Sequence, residues 1–319
     1  MSHMSSTSMP CRRLGATGLP VSVLSLGAAD VFGDRVSRGT ARNLVAMAWD
    51  AGVNLFDSLA ADAGVRAQAM LGDVIADLRL PRDGLALSAG VGVGDGTAQA
   101  CLPMQRGMTR KHLRDACEAA LRRLHTDYLD LFLCERPDPQ VPLLETVTAM
   151  DLLVRQGKVL YWGTCEWPTD MIAQARAIAA DHALQGPMVV KTARDLLTRD
   201  SHQHPLAALA GEGKIGWLAP SSLAGARRTA DDQGDGPHAA TAGDGMAGCS
   251  DRFLGVADTM GVGPEALAAA WILRDPAVAS VLVEVLSAQQ LQGNLDALAL
   301  LAEISDEQWH AVDAASATG

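Results

Sequence analysis

LRDACEAALRRLHTDYLDLFLCERPD (113–138) is the stretch whose reading decides the fold. Apolar and charged residues recur with helical period over Arg110–Leu124, and the pattern then changes to a β-type run, YLDLFLCE (128–135). A helix feeding a strand at this spacing is one step of a βαβ repeat. The same step recurs on both sides of it. Upstream lie VLSLGA (23–28), VNLFDS (53–58) and LALSAG (85–90). Downstream lie VLYWGTCE (159–166), MVVKTAR (188–194), IGWLAPSS (215–222) and VASVLVEV (278–285). Amphipathic stretches separate them, among them Thr40–Ala51, Pro142–Gln156, Asp170–Asp181, Pro264–Leu273 and Ala288–Leu301. Alternation of this kind argues for parallel βαβ units. Eight of them argue for closure into an α/β fold, a (β/α)8 TIM barrel, with a doubly wound open sheet as the alternative.

Three features decorate the repeat. Residues 11–22, with the Gly15–Gly18 turn, predict a β-hairpin plugging the barrel floor. GVGVGDGTAQACLPMQRG (90–107) is a Gly-rich loop after the third barrel strand, and no GK[ST] follows to make it a phosphate loop. DDQGDGPHAATAGDGMAG (231–248) predicts a mobile insertion at about 231–250, after the seventh. The organisation expected is one barrel domain over 10–319, behind a lead-in (1–9) that reads as a tag remnant.

Composition narrows the function. The 319 residues are 48% hydrophobic and 20% charged, enough for a large core. A net charge of −11 speaks against nucleic acid as a partner, because phosphate binding wants a basic face. No apolar run reaches the roughly 18–20 residues that span a bilayer, so no membrane partner is expected. The six cysteines show no metal-type spacing and fit reduced thiols in a cytoplasm. Oligomeric state is not readable.

Several segments together resemble the aldo-keto reductases over roughly residues 10–315. RRLGATGLPVSVLSLG (12–27) looks like that family's hairpin and first strand, and AWDAGVNLFDS (48–58) like the helix entering its catalytic-Asp strand. The 113–131 segment followed by RPD (136–138) resembles its fourth unit; LVRQGKVLYWG (153–163) with Trp167-Pro168 resembles its fifth. SAQQLQGNL (287–295) is similar to the helix at the adenosine end of NADPH. The resemblance implies an Asp, a Tyr, a Lys and a His. The Tyr protonates the carbonyl oxygen as NADPH delivers hydride, Lys and Asp lower its pKa, and His orients the substrate.

Of these four, only the Asp matches, as Asp57. The Tyr position falls in LAADAG (59–64), at Asp62 or Ala61; the Lys position is Gly90, and the His position is Glu135. The chain's two tyrosines, Tyr128 and Tyr161, lie near strand starts, toward the floor, and none of its eight histidines falls at a strand end. The implied nicotinamide contacts are altered too. Cys165 and Glu166 replace Ser and Asn, Lys191 replaces Gln, and Pro220 replaces the stacking aromatic. Val283 and Glu284 stand where Pro-Gly receives phosphate, and a carboxylate there repels the cofactor. Gln290 and Asn294 keep the adenosine-end pattern and are the cofactor-binding candidates if NADP(H) binds.

The replacements carry charge. Asp57, Glu135, Glu166 and Glu284 fall at strand ends, Asp30 and Asp62 lie just beyond, and Lys191 and Arg194 come from the sixth barrel strand. Carboxylates crowded in a partly dry pocket separate one another's pKa values into an acid and a base, and a nearby lysine is a clamp or, if desolvated, a base. Asp57, Glu135, Lys191 and Asp62 are therefore the catalytic candidates; Asp30, Glu166, Arg194 and Glu284 are the substrate-binding ones. Each has a bland counterpart: Asp57 as a structural ion pair, Glu135 as a partner for Arg136, Lys191 or Arg194, Glu166 and Glu284 on loop surface, and Cys134 and Cys165 as packed thiols.

Three functions stay open. One is a cofactor-free acid/base enzyme (lyase, dehydratase, isomerase or cyclase type) acting on a small, polar or cationic metabolite. Another is a divergent NAD(P)H-dependent reductase. The third is a non-catalytic barrel that senses a ligand or scaffolds a partner.

Overall fold

The computed structural model describes residues 9–29, 31–59, 64–92, 102–193, 203–221 and 244–315. Asp30, Asp62 and Arg194 lie outside the described residues, as do residues 93–101 of the Gly-rich stretch after the third barrel strand and the segment 222–243.

Eight parallel strands close a barrel in the order β10-β3-β4-β5-β6-β7-β8-β9. They are β3 (Leu24–Gly27), β4 (Leu55–Asp57), β5 (Ala86–Val91) and β6 (Leu129–Glu135). β7 (Val159–Cys165), β8 (Val189–Lys191), β9 (Gly216–Pro220) and β10 (Val278–Glu284) complete it. Each falls within one of the eight β-type runs except β5, which runs one residue past its own to Val91, and β10 pairs with both β9 and β3 to leave no edge. The open sheet is thereby excluded. Helices α1 (Arg38–Asp50), α2 (Gly64–Leu78), α3 (Arg110–Arg123), α4 (Leu143–Arg155) and α5 (Thr169–Asp181) surround it. So do α6 (Gln203–Gly211), α7 (Asp244–Met260), α8 (Pro264–Leu273), α9 (Ala288–Leu295), α10 (Ala297–Glu303) and α11 (Asp306–Ala315). The single helix expected over Ala288–Leu301 is two helices, divided at Asp296. The predicted insertion ends in α7, which is helical from Asp244.

Alternation along each strand sorts side chains between two cores. Phe56, Phe132, Cys134, Trp162, Val190, Trp217 and Val281 face the helices in the larger one. Leu55, Leu131, Leu133, Cys165, Val189 and Leu218 fill the barrel itself. That inner cluster also takes in Leu14 and Val21, both fully buried, from an N-terminal hairpin, β1 (Cys11–Arg13) and β2 (Pro20–Ser22). Gly15, at φ +58, sits so close to the Gly216 backbone that no Cβ fits there. The hairpin is pinned by Arg12, whose guanidinium donates to the carbonyls of Leu273 (2.9 Å), Asp275 (3.0 Å) and Val278 (2.6 Å). The floor is thus closed, and the opposite end, where the strands terminate, is the mouth.

Candidate active site at the barrel mouth

Strand parity decides which side chains reach the mouth. Asp57 follows Leu55 by two residues, Glu135 follows Leu133, Cys165 follows Gly163 and Lys191 follows Val189, so all four share the interior face. Glu284 shares it as well. A Cβ at inward-facing Gly27 would stand 2.8 Å from Glu284 Cγ, so the glycine opens the space in which that side chain lies. The ladder carries Glu135 opposite Cys165 and Cys165 opposite Lys191, which sets an acid, a thiol and an amine side by side on β6, β7 and β8.

The centre of the site is an ion pair across the barrel. Lys191 Nζ donates to Asp57 Oδ2 at 2.7 Å and to the Leu59 carbonyl at 3.3 Å, and Ser88 Oγ donates to Asp57 Oδ1 at 2.5 Å. Side-chain exposure is 0% for Asp57 and 9% for Lys191. Burial works against the charged form of the lysine. The Asp57 carboxylate, with that of Glu284 behind it, outweighs this, and the Lys191 pKa lies above the ordinary lysine value. At neutral pH the group is a fixed ammonium. Ser88 was not singled out from the sequence, although it stands directly opposite Asp57 in the β4–β5 register. Its signal is position alone: two residues before Gly90 on an inward-facing strand.

Gly90 shows why the cation comes from β8. A Cβ there would overlap Leu59 Cδ1 and the Leu133 carbonyl, so Leu59 fills the space that a longer side chain on β5 would need. Neither tyrosine compensates. Tyr161 packs with the inner cluster that the hairpin plugs, and the Tyr128 ring lies under the Arg82 guanidinium, 3.8 Å from centroid to Cζ. The Cys165 thiol is pushed far up, by burial first and then by the Glu166, Glu135 and Asp57 carboxylates against Lys191; it is a packed thiol and not a nucleophile. Cys134, on the helix side, is raised to about 12 by burial.

The other candidates separate by role. Glu166 is exposed, with its carboxylate accepting from Thr192 Oγ1 (3.2 Å) and Ala193 N (3.4 Å). Gln290 Oε1 accepts from Leu286 N at 2.7 Å, and buried Asn294 donates from Nδ2 to the Gln290 carbonyl at 2.9 Å. Both amides thus close bonds within their own helix end.

A profile of the aldo/keto reductase family matches residues 23–317. The chain belongs to the aldo-keto reductase family. It is 29% identical over 327 aligned residues to a "Putative voltage-gated potassium channel subunit beta" of Schizosaccharomyces pombe, spanning 98% of this chain and 94% of that protein. Proteins called "Probable voltage-gated potassium channel subunit beta" are 31% identical in Oryza sativa subsp. japonica (94% of each chain) and 32% in Arabidopsis thaliana (91% of each chain). The family typically binds NADP(H) and acts on small molecules. At the positions where the resemblance implies contacts to such a nucleotide, Cys165 is a buried thiol, the Glu166 carboxylate accepts from residues 192 and 193, Lys191 donates to Asp57, and Glu284 ends the last strand.

Proposed function

We propose that this barrel performs proton-transfer chemistry without a redox cofactor, of lyase, dehydratase, isomerase or cyclase type, on a small polar metabolite bearing a carbonyl or hydroxyl group. The observation that carries the reading is the buried Lys191–Asp57–Ser88 constellation with neither tyrosine at a strand end, Tyr128 standing just before β6 and Tyr161 third in β7. An ammonium held protonated by a carboxylate is a poor base and a poor Schiff-base former, but a good electrostatic clamp for a substrate oxygen that gains negative charge. Asp57 and Ser88 fix the clamp so that it need not reorganise during reaction. Glu135, two strands from Lys191 on the same inner face, is the group to take a proton from substrate and return it. Asp62 stays with the catalytic set, Asp30, Glu166, Arg194 and Glu284 are assigned to substrate contact, and an acidic mouth favours hydroxylated or cationic ligands. A cytoplasmic setting suits the reduced thiols.

Two observations favour other readings. Family membership favours NADP(H)-dependent reduction, with Gln290 and Asn294 at the adenosine end. The relatives' names, potassium channel subunits, favour a barrel that senses a ligand or scaffolds a partner. One pair of measurements separates the three. NADPH and NADH are titrated by calorimetry, and deuterium uptake from D2O into a panel of small hydroxy- and oxo-compounds is followed by NMR. No heat up to millimolar nucleotide, with uptake abolished by Glu135→Gln and by Lys191→Met, is the expected result. Micromolar NADPH affinity with turnover of the nucleotide replaces the proposal by the reductase reading, and neither binding nor exchange replaces it by the scaffold reading.

A further inference from the structure

β8 is three residues long, yet its last residue must hold an ammonium in register with a carboxylate on the far wall of the barrel. Strand ends of this length fray unless something beyond the ladder holds them. The β7–β8 ladder stops at Cys165 opposite Lys191. Past it, Glu166 N donates to the Lys191 carbonyl at 3.1 Å. Its side chain then reaches over the next two residues, Oε2 accepting from Thr192 Oγ1 at 3.2 Å and Oε1 from Ala193 N at 3.4 Å. β9 grips the same segment from the other side: Thr192 N donates to the Leu218 carbonyl at 3.2 Å, and Trp217 Nε1 to the Thr192 carbonyl at 3.0 Å.

The Glu166 backbone has φ +55, the left-handed region that a non-glycine residue seldom adopts without a reason. A side chain that merely met a ligand would not require it. Here the turn points the chain so that one residue's amide and carboxylate both face 191–193.

We infer that Glu166 is a positioning residue for Lys191: by clasping residues 191–193 from the end of β7 it holds the Lys191 ammonium on Asp57. This rests on the reading above of Lys191 as the site's fixed cation, and it moves Glu166 from substrate contact to support. Among the described residues, the charged and titratable groups facing Lys191 are Asp57 from β4, Cys165 from β7 and Glu284 from β10. A clasp that fails displaces the amine from Asp57 first.

The chain has four lysines, Lys111, Lys158, Lys191 and Lys214, so uniformly 13C-lysine-labelled protein gives a short, assignable NMR titration, with Lys191→Met identifying the signal. In wild type the expected result is a Lys191 signal titrating above its ordinary value of 10.5. Glu166→Asn tolerates the left-handed backbone but is too short for the clasp; it lowers the Lys191 midpoint by about one unit. Thr192→Val removes one leg and lowers it less, and Glu166→Gln falls between Glu166→Asn and wild type. Lys191 titrating as in wild type in both Glu166→Asn and Thr192→Val, with the fold intact by circular dichroism, overturns the inference. The two proposals fail separately. A shifted midpoint in a protein whose proton exchange survives Lys191→Met sinks the functional reading alone. Exchange lost in Lys191→Met with an unmoved midpoint sinks the clasp alone.

Discussion

A carboxylate buried as deeply as Asp57 is tolerable because an ammonium and a hydroxyl meet both of its oxygens. Removing one partner leaves the charge without compensation. Lys191→Met is therefore expected to lower unfolding stability by about 3–5 kcal/mol, whereas Asp57→Asn with Lys191→Met recovers much of the loss; urea denaturation of the three variants checks it. The pH dependence has a definite sign. The folded pKa of Lys191 lies above its unfolded value, so the pair's contribution is complete below about 10.5 and is lost as pH rises through the folded midpoint. Wild type should show this alkaline limb in melting temperature, and Lys191→Met should lack it. Gly90 makes a sharper test of the packing. Gly90→Ala drives a Cβ into Leu59 and a backbone carbonyl, for an expected loss of about 1–3 kcal/mol that Leu59→Ala relieves only in part. At this scale the sequence named Asp57, Glu135, Lys191 and Glu284, because each ends an apolar run and parity sends it inward. It did not name Ser88 or the Lys191–Asp57 bond. The first depends on which residue the β4–β5 register sets opposite Asp57, the second on which strands face each other across the barrel, and no local pattern encodes either.

Among elements, the hairpin shows how a small piece is held by very few groups. Arg12 satisfies three carbonyls at the end of α8 and the start of β10, positions that a helix terminus otherwise leaves open. Arg12→Met keeps the aliphatic stem and loses these bonds. It should cost about 2–3 kcal/mol and raise amide exchange over residues 10–22 ahead of the rest of the chain, measurable by hydrogen exchange. Elements were legible wherever period and punctuation agreed. α8 was read with its observed ends because Pro264 opens it, and β10, read to Val285, overran its observed end at Glu284 by one residue. Ala288–Leu301 misled because its Ala/Leu period continues through Asp296, whose side chain accepts from Gln292 while the chain turns into α10.

At the scale of the whole molecule, closure was legible as a count of alternations, since eight βα steps have few other arrangements. The mouth was less so, because the groups that meet there arrive from strands far apart in sequence. β10 is the stave that completes the cylinder, pairing with β9 and β3 at once. A chain cut before Val278 should expose two unpaired edges and elute as aggregate in size-exclusion chromatography, where the full chain elutes as a defined species. The tie between Arg12 and Val278 has a temporal side. Its donor leaves the ribosome 266 residues ahead of its acceptor. The base of the cylinder therefore cannot be sealed until that whole span has been made, and while it is being made the barrel is an open trough with its inner lining exposed.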